Sequence, residues 1–197
     1  MSVAVVDSGV ANIASVTAAL ARLGVDADVT ADAARIGAAS HVILPGVGSA
    51  AAAMAQLRAK GLVDTLRGLT QPVLGICLGM QLLFAHSRES GGVDALGVID
   101  GTVEKLRGGP GMPVPHMGWN RIMPRGPHAL LRGVDDGAFV YFVHSFAAPA
   151  GRDTLAVCDY GEAFTAVAGR DHFFGCQFHP ERSGETGAQI LKNFLDM

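Results

Sequence analysis

Pro72-Val73-Leu74-Gly75-Ile76-Cys77-Leu78-Gly79-Met80-Gln81 reads as a short apolar strand, a sharp turn and a helix start, with a thiol at the turn. Pro72 opens the strand, which ends near Ile76. Gly75 and Gly79 flank the cysteine as the outer glycines of a G-x-S-x-G nucleophile elbow flank its serine. A residue on such a turn is lifted above the sheet edge. The helix that follows aims free N–H groups and its positive dipole end at the sulfur. Both favour the thiolate, the reactive form. A packed strand cysteine is the competing reading, because free cysteines are often buried.

Upstream of this run, strands alternate with helices. Val3 to Val6 is an apolar strand. Ile13, Val16, Leu20 and Leu23 recur at helical spacing, and Gly24 supplies a stop. Ala27 to Thr30 reads as a second strand and His41 to Leu44 as a third, ended by Pro45-Gly46. Ser49 caps a helix carrying Met54 and Leu57 that stops at Gly61. Leu62 to Leu69 is a further short helix, and the helix after Cys77 runs through Phe84. The alternation predicts an α/β fold: an open, mostly parallel sheet with helices on both faces.

Downstream, short β-like segments follow one another with little helix between them: Thr102 to Leu106, Phe139 to Val143, Thr154 to Cys158, Phe164 to Ala168 and His172 to Phe178. They predict an antiparallel extension of the sheet. The prolines and glycines of 108–115 make a loop. A closing helix carries Ile190, Leu191, Phe194 and Leu195 on one face, with Thr186 and Gln189 as its capping box.

At 197 residues the chain is long enough for one full core, and residues 1–197 read as a single domain. A 49% apolar and 17% charged composition lies outside the disordered range. The net charge of -3 gives no support for a nucleic-acid or membrane-surface partner. Three cysteines are too few and odd in number for a disulfide framework, and they fit a reducing compartment. The N-terminus lacks the basic region of a signal peptide. The longest apolar stretch is broken by Gln81 and too short to span a membrane. A soluble, cytoplasmic protein is expected.

A thiol nucleophile needs a base and a group that orients the base. Gln177-Phe178-His179-Pro180-Glu181 supplies both. Phe174, Cys176 and Phe178 fall on one face of the preceding strand, leaving Gly175, Gln177 and His179 on the other. Pro180 biases His179 toward an extended backbone. His179 and Glu181 then project the same way, so the carboxylate reaches one imidazole nitrogen and leaves the other for Cys77. A strand-end histidine beside a solvated glutamate is the plainer alternative. An acyl-transfer site also needs donors for an oxyanion. The N–H of Leu78 is one, and the loop Pro45-Gly46-Val47-Gly48 is a source of the other, since its glycines let the backbone approach a substrate or flip.

Gly46 to Ala51 also matches G-x-G-x-x-A, a dinucleotide-binding pattern. It sits in the second βα unit, however, and Asp64, the available acid, falls in a helix. The remaining histidines show no paired metal-ligand spacing, so no metal and no cofactor is expected. His144, before Ser145, is a further residue that could line the cleft, with core packing as the simpler reading. Cys158 and Cys176 read as core.

Taken together, these residues resemble the class I (triad-type) glutamine amidotransferases, along nearly the whole chain. The motifs are Leu44-Pro45-Gly46-Val47-Gly48, Leu74 to Phe84 around Cys77, and Gly175 to Glu181. Two more, Pro115-His116-Met117-Gly118-Trp119-Asn120 and Tyr141-Phe142-Val143-His144-Ser145, are particular to the glutaminase subunits of imidazole glycerol phosphate synthases. The resemblance implies a flavodoxin-like fold and hydrolysis of glutamine through a Cys77 thioester, with His179 shuttling protons and Glu181 orienting it. It implies an oxyanion hole at Val47, Gly48 and Leu78, and substrate contacts from Gly46, Gln81 and Ser145. It further implies a heterodimer with a (β/α)₈-barrel cyclase that receives the ammonia in histidine biosynthesis. The interface would include Asn12, Trp119 and Arg182. The chain departs from the family pattern at Ser8, Ala11 and Arg182. The alternatives are another class I glutaminase, serving pyridoxal phosphate or aminobenzoate synthesis, and a catalytically silent assembly subunit.

Overall fold

The computed structural model describes residues 1–9 and 12–197. Its first half is a series of βα units. β1 (Val3–Val6) leads through α1 (Ile13–Arg22) to β2 (Ala27–Thr30), and α2 (Ala33–Ala38) leads on to β3 (His41–Gly46). α3 (Ala50–Ala59) and α4 (Val63–Arg67) return the chain to β4 (Val73–Cys77), which turns directly into α5 (Leu78–Leu83). Short strands follow: β5 (Phe84–Ser87), β6 (Val93–Asp94), β7 (Ile99–Lys105), β8 (His116–Pro124) and β9 (Ala138–His144). The rest are β10 (Phe146–Ala147), β11 (Thr154–Asp159), β12 (Ala163–Arg170) and β13 (Phe173–Cys176), and α6 (Gly184–Leu195) closes the chain.

The main sheet has nine strands in the order β2-β1-β3-β4-β13-β12-β11-β8-β9. The first five run parallel, in the flavodoxin-like order. The last four continue antiparallel. β1, β3 and β4 are buried along their whole length, as strands covered on both faces must be. Val3 and Val5 pack on one face with Val16 and Leu20 of α1 and Ile190 and Phe194 of α6. Ala4 and Val6 pack on the other with Ile36, Met54, Leu57 and Leu66. The side-chain period of two thus splits one strand between two cores. The C-terminal ends of β3 and β4 lie side by side, with Gly46 opposite Cys77.

Several elements differ from the sequence expectation. β3 runs on through Pro45-Gly46, because pairing with Ile76 and Cys77 holds these residues extended. The helix after Cys77 stops at Leu83, and Phe84 opens β5 of a separate four-stranded sheet, β10-β7-β5-β6. The segment Thr102 to Leu106, expected in the main sheet, belongs as β7 to this second one. α2 is not foreseen in the sequence, although Asp32 caps it by accepting the Arg35 N–H. β8 is also unforeseen. Met117, Trp119 and Met123 flank Arg121 on its outward side, so that side is mostly apolar, which hides the usual alternation. The capping box at Thr186 and Gln189 does not form. The helix starts at Gly184, and Gln189 donates to Asn193 instead.

Candidate active site

Cys77 ends β4 with φ +53° and ψ −110°. That is strained for a residue with a Cβ, and such strain collects at functional sites. The turn is tight because α5 lies hard against the sheet. A Cβ at Gly79 would sit 1.7 Å from the Leu44 carbonyl oxygen, and one at Gly75 would sit 2.6 Å from the Met80 nitrogen. Glycine at both positions is therefore a condition for the elbow. Leu78, the first helical residue, presents its N–H beside the sulfur-bearing residue at the helix N-terminus.

A cavity of about 360 Å³ opens over Cys77. Val47 and Gly48 from the end of β3, Leu78 and Gln81 from α5, Ser145 after β9, and His179 after β13 share its wall. Gly48 takes φ +86°, a conformation that glycine adopts freely. Gly46 does not line the cavity. Its missing side chain makes room for Leu78 and Gly79.

His179 Nδ1 lies 2.8 Å from Glu181 Oε1, and both side chains are buried. The second carboxylate oxygen, Glu181 Oε2, is buried without a hydrogen-bond partner among the described residues. Burial alone would lower the His179 pKa. Hydrogen bonding to Cys77 and Glu181, with their negative charge, outweighs burial and raises it above the usual histidine range. With Nδ1 held by the carboxylate, Nε2 is the nitrogen left for the thiol. Gln177, fully buried, aims its amide nitrogen at Cys77 Sγ from 3.9 Å. Cys77 and His179 share one cavity wall and Glu181 holds the His179 ring, so thiol, base and orienting carboxylate form a set able to carry out acyl transfer.

Three residues to which the sequence gives no role join the site. Glu89 lines the cavity and accepts the Ala50 N–H at 2.6 Å, fixing the start of α3. A lone loop glutamate carries no signal in a sequence. Strand alternation places Gln177 on the correct face but gives it no role. Phe146 contributes its carbonyl, which no side-chain pattern reports. His144 lines the cavity as well as packing in the core. Cys158 and Cys176 are buried, and burial pushes both thiols up, Cys158 to about 12.

The expected interface residues occupy different settings. Trp119 is 56% exposed rather than packed in the core. Arg182 is exposed, and Asn12 is half-buried at the start of α1. Ser8 is buried, and Ala11 lies outside the described residues. Among the described residues, no cluster of His, Cys, Asp or Glu is arranged to hold a metal ion, and no helix is long and apolar enough to cross a membrane.

The family model for glutamine amidotransferase class-I matches residues 4–197. The chain belongs to the class I glutamine amidotransferases. Within that family its relatives include the imidazole glycerol phosphate synthase subunit HisH of Pectobacterium atrosepticum, 54% identical over the full length of both chains. The subunit of the same name from Escherichia coli K12 is 53% identical, again over the full length of both. Solved class I-like folds superpose well at low identity. A crystal structure of a glutamine amidotransferase gives a TM-score of 0.76 at 19% identity, covering 100% of this chain and 98% of that one. PurLQS from Thermotoga maritima gives 0.73 at 18%, covering 98% and 97%. These two show the shared fold. The elbow and the His-Pro-Glu turn therefore sit in a class I amidotransferase framework.

Proposed function

We propose that this chain is the glutaminase subunit of an imidazole glycerol phosphate synthase. The observation that carries the reading is that Cys77 and His179 share the wall of a cavity of amino-acid size, with Glu181 holding His179, in a chain 54% identical to a HisH subunit. Cys77 Sγ attacks the side-chain amide carbon of glutamine. The oxyanion is held by the Leu78 N–H and by the Val47–Gly48 backbone. His179 gives its proton to the leaving nitrogen, and ammonia departs from a thioester. A water molecule, deprotonated by His179, attacks the thioester and releases glutamate. Glu181 holds the ring in register and stabilises its cationic form. Gln81 and Ser145 bind the substrate glutamine.

The ammonia passes to a (β/α)₈-barrel cyclase subunit bound as a heterodimer. An exposed apolar stripe supports a docking face. Met117, Trp119 and Met123 of β8 and Phe139 and Val143 of β9 are all exposed on one side of the hairpin. Val143 also lines the cavity, so the stripe reaches the site. Trp119 lies in it, and Asn12 and Arg182 would add contacts. Partner binding would reorient the Val47–Gly48 peptide to complete the oxyanion hole, which a loop with glycines on both sides of Val47 allows. Three free cysteines support a reducing, cytoplasmic setting.

The test is glutamate release by the chain alone, then with its cyclase and the nucleotide ligand of that cyclase. Strong stimulation is expected. Cys77→Ala should abolish glutamine-dependent synthesis by the complex and spare synthesis from ammonium salts. High activity that ignores the cyclase would instead assign the chain to another class I glutaminase. Loss of both syntheses would give Cys77 a role in assembly rather than chemistry.

A further inference from the structure

Two buried histidines take no part in this chemistry, although both lie in the motifs particular to the synthase subunits. His116 of β8 and His144 of β9 stand directly opposite each other. His116 Nδ1 lies 3.0 Å from His144 Nε2, and both residues are almost fully buried. His144 Nδ1 lies 2.9 Å from the Phe146 carbonyl oxygen. The same oxygen accepts the Gln81 amide Nε2–H at 2.7 Å. At the other end, Asn120 Nδ2 lies 3.3 Å from His116 Nε2 and 3.0 Å from the Asp159 carbonyl. His116 is stacked between Phe142 and Tyr160, with ring centroids 4.7 and 4.0 Å away.

The chemistry of the atoms fixes the direction of every bond. A carbonyl oxygen only accepts, so His144 donates from Nδ1. In a neutral ring Nε2 must then accept, so His116 donates from its own Nδ1. That leaves His116 Nε2 to accept from the Asn120 amide nitrogen, which can only donate. Neutrality of both rings follows from their burial, which pushes each down to about 4. The same carbonyl fixes Gln81. Its nitrogen donates to Phe146 and, at 3.0 Å, to Gln177 Oε1. Gln177 therefore turns its own amide nitrogen to Cys77. Gln81 is left with Oε1 as the atom it can offer a ligand.

We infer that His116 and His144 are positioning residues: they hold the Phe146 carbonyl, and through it the Gln81 and Gln177 amides, in the one orientation that serves the glutamine site. This rests on the glutaminase reading above. The relay begins on the inward side of β8, the strand whose outward side carries the proposed docking stripe. The placement of that strand is thus tied by continuous hydrogen bonds to the cavity wall.

The test uses the full chain in complex with its cyclase. His116→Phe keeps an aromatic ring between Phe142 and Tyr160 but removes the donor. His116→Asn returns an N–H near the position of Nδ1. His116→Phe is expected to raise KM for glutamine roughly tenfold, the typical effect of leaving a buried acceptor unpaired. Synthesis from ammonium salts should stay at the parental rate, and His116→Asn should recover most of the loss. A parental KM in His116→Phe overturns the proposal. So do equal losses in both variants, or a parallel loss of ammonium-supported synthesis. Independently, ¹⁵N NMR of the unaltered chain should find both rings protonated at Nδ1, and an Nε2–H ring at either residue overturns the relay. A parent complex that releases no glutamate removes the function, and this role falls with it. Nδ1–H rings in that case would mark a relay that serves the fold alone.

Discussion

Replacing Gly79 by alanine tests the elbow most directly. The added Cβ would lie 1.7 Å from the Leu44 carbonyl oxygen and 2.8 Å from its carbon. Both are backbone atoms of β3, so no rotamer change relieves the overlap. Ordinary van der Waals contact needs about 1.7 Å more separation between α5 and β3. β3 is paired on both sides, which leaves α5 to move. Overpacking of this kind typically costs about 1–3 kcal/mol, and a backbone clash belongs at the upper end. In a chain of this length, ~3 kcal/mol corresponds to a fall in Tm of about 6–12 °C. The displaced helix carries the Leu78 N–H and Gln81, and an ångström of misplacement costs about 100-fold in rate. Gly37, in α2, is the control. It has open space around it and no strained φ, so Gly37→Ala should stabilise by about 0.5 kcal/mol. Differential scanning calorimetry and glutamate release in the cyclase complex read both effects. A Gly79→Ala chain with parental Tm and rate would refute the close approach of α5 to β3.

Glu181→Gln keeps a hydrogen-bond partner for His179 but removes the charge that raises its pKa. The ring should titrate at lower pH by NMR, and glutamate release should fall by about 100- to 10,000-fold; an unchanged titration would remove Glu181 from the site. His116 and His144 take up a proton near pH 6.5 when unfolded and only near 4 when folded. The native chain thus binds fewer protons between these values, so their contribution to stability is complete above pH 6.5 and is lost as pH falls toward 4. For His144 this amounts to at most about 3 kcal/mol. Urea denaturation from pH 7.5 to 4.5 should show the loss, and a shallower one in His144→Asn. An equally steep loss in that variant would place the effect elsewhere. Trp119→Ala should weaken cyclase binding about 30-fold or more, as for an interface anchor. The Tm of the free chain should hardly move, because exposed side chains away from special features contribute little. Calorimetric titration with undiminished affinity would take Trp119 out of the interface.

The parallel half of the fold is legible because β1, β3 and β4 are buried on both faces, so their apolar runs stand out between the helices. The proposed triad is legible for a related reason. Gly75 and Gly79 mark a backbone close approach, and Pro180 restricts His179, so local rules alone aim both side chains. The second sheet is not legible, since β5 follows α5 without a break and no turn residue separates them. β8 is obscured because Met117, Trp119 and Met123 are apolar on the solvent side, a pattern that follows a docking surface rather than a core. Gln177 and Phe146 act through an amide whose orientation is fixed by a backbone oxygen, and this depends on tertiary contacts that no spacing encodes.

The position of β13 has a consequence for how the chain comes to life during synthesis. It follows every other strand of the main sheet in chain order, yet it occupies the middle of that sheet, between β4 and β12. Until it inserts, β4 has an open edge where β13 belongs, and Cys77 has neither His179 nor Glu181. A ribosome-bound fragment ending before β13 therefore carries the nucleophile without its base. Glutaminase activity would switch on in the same event that seals the sheet, so an incomplete chain spills no ammonia. Truncated products would be inert rather than unregulated, a safeguard arising from strand order alone.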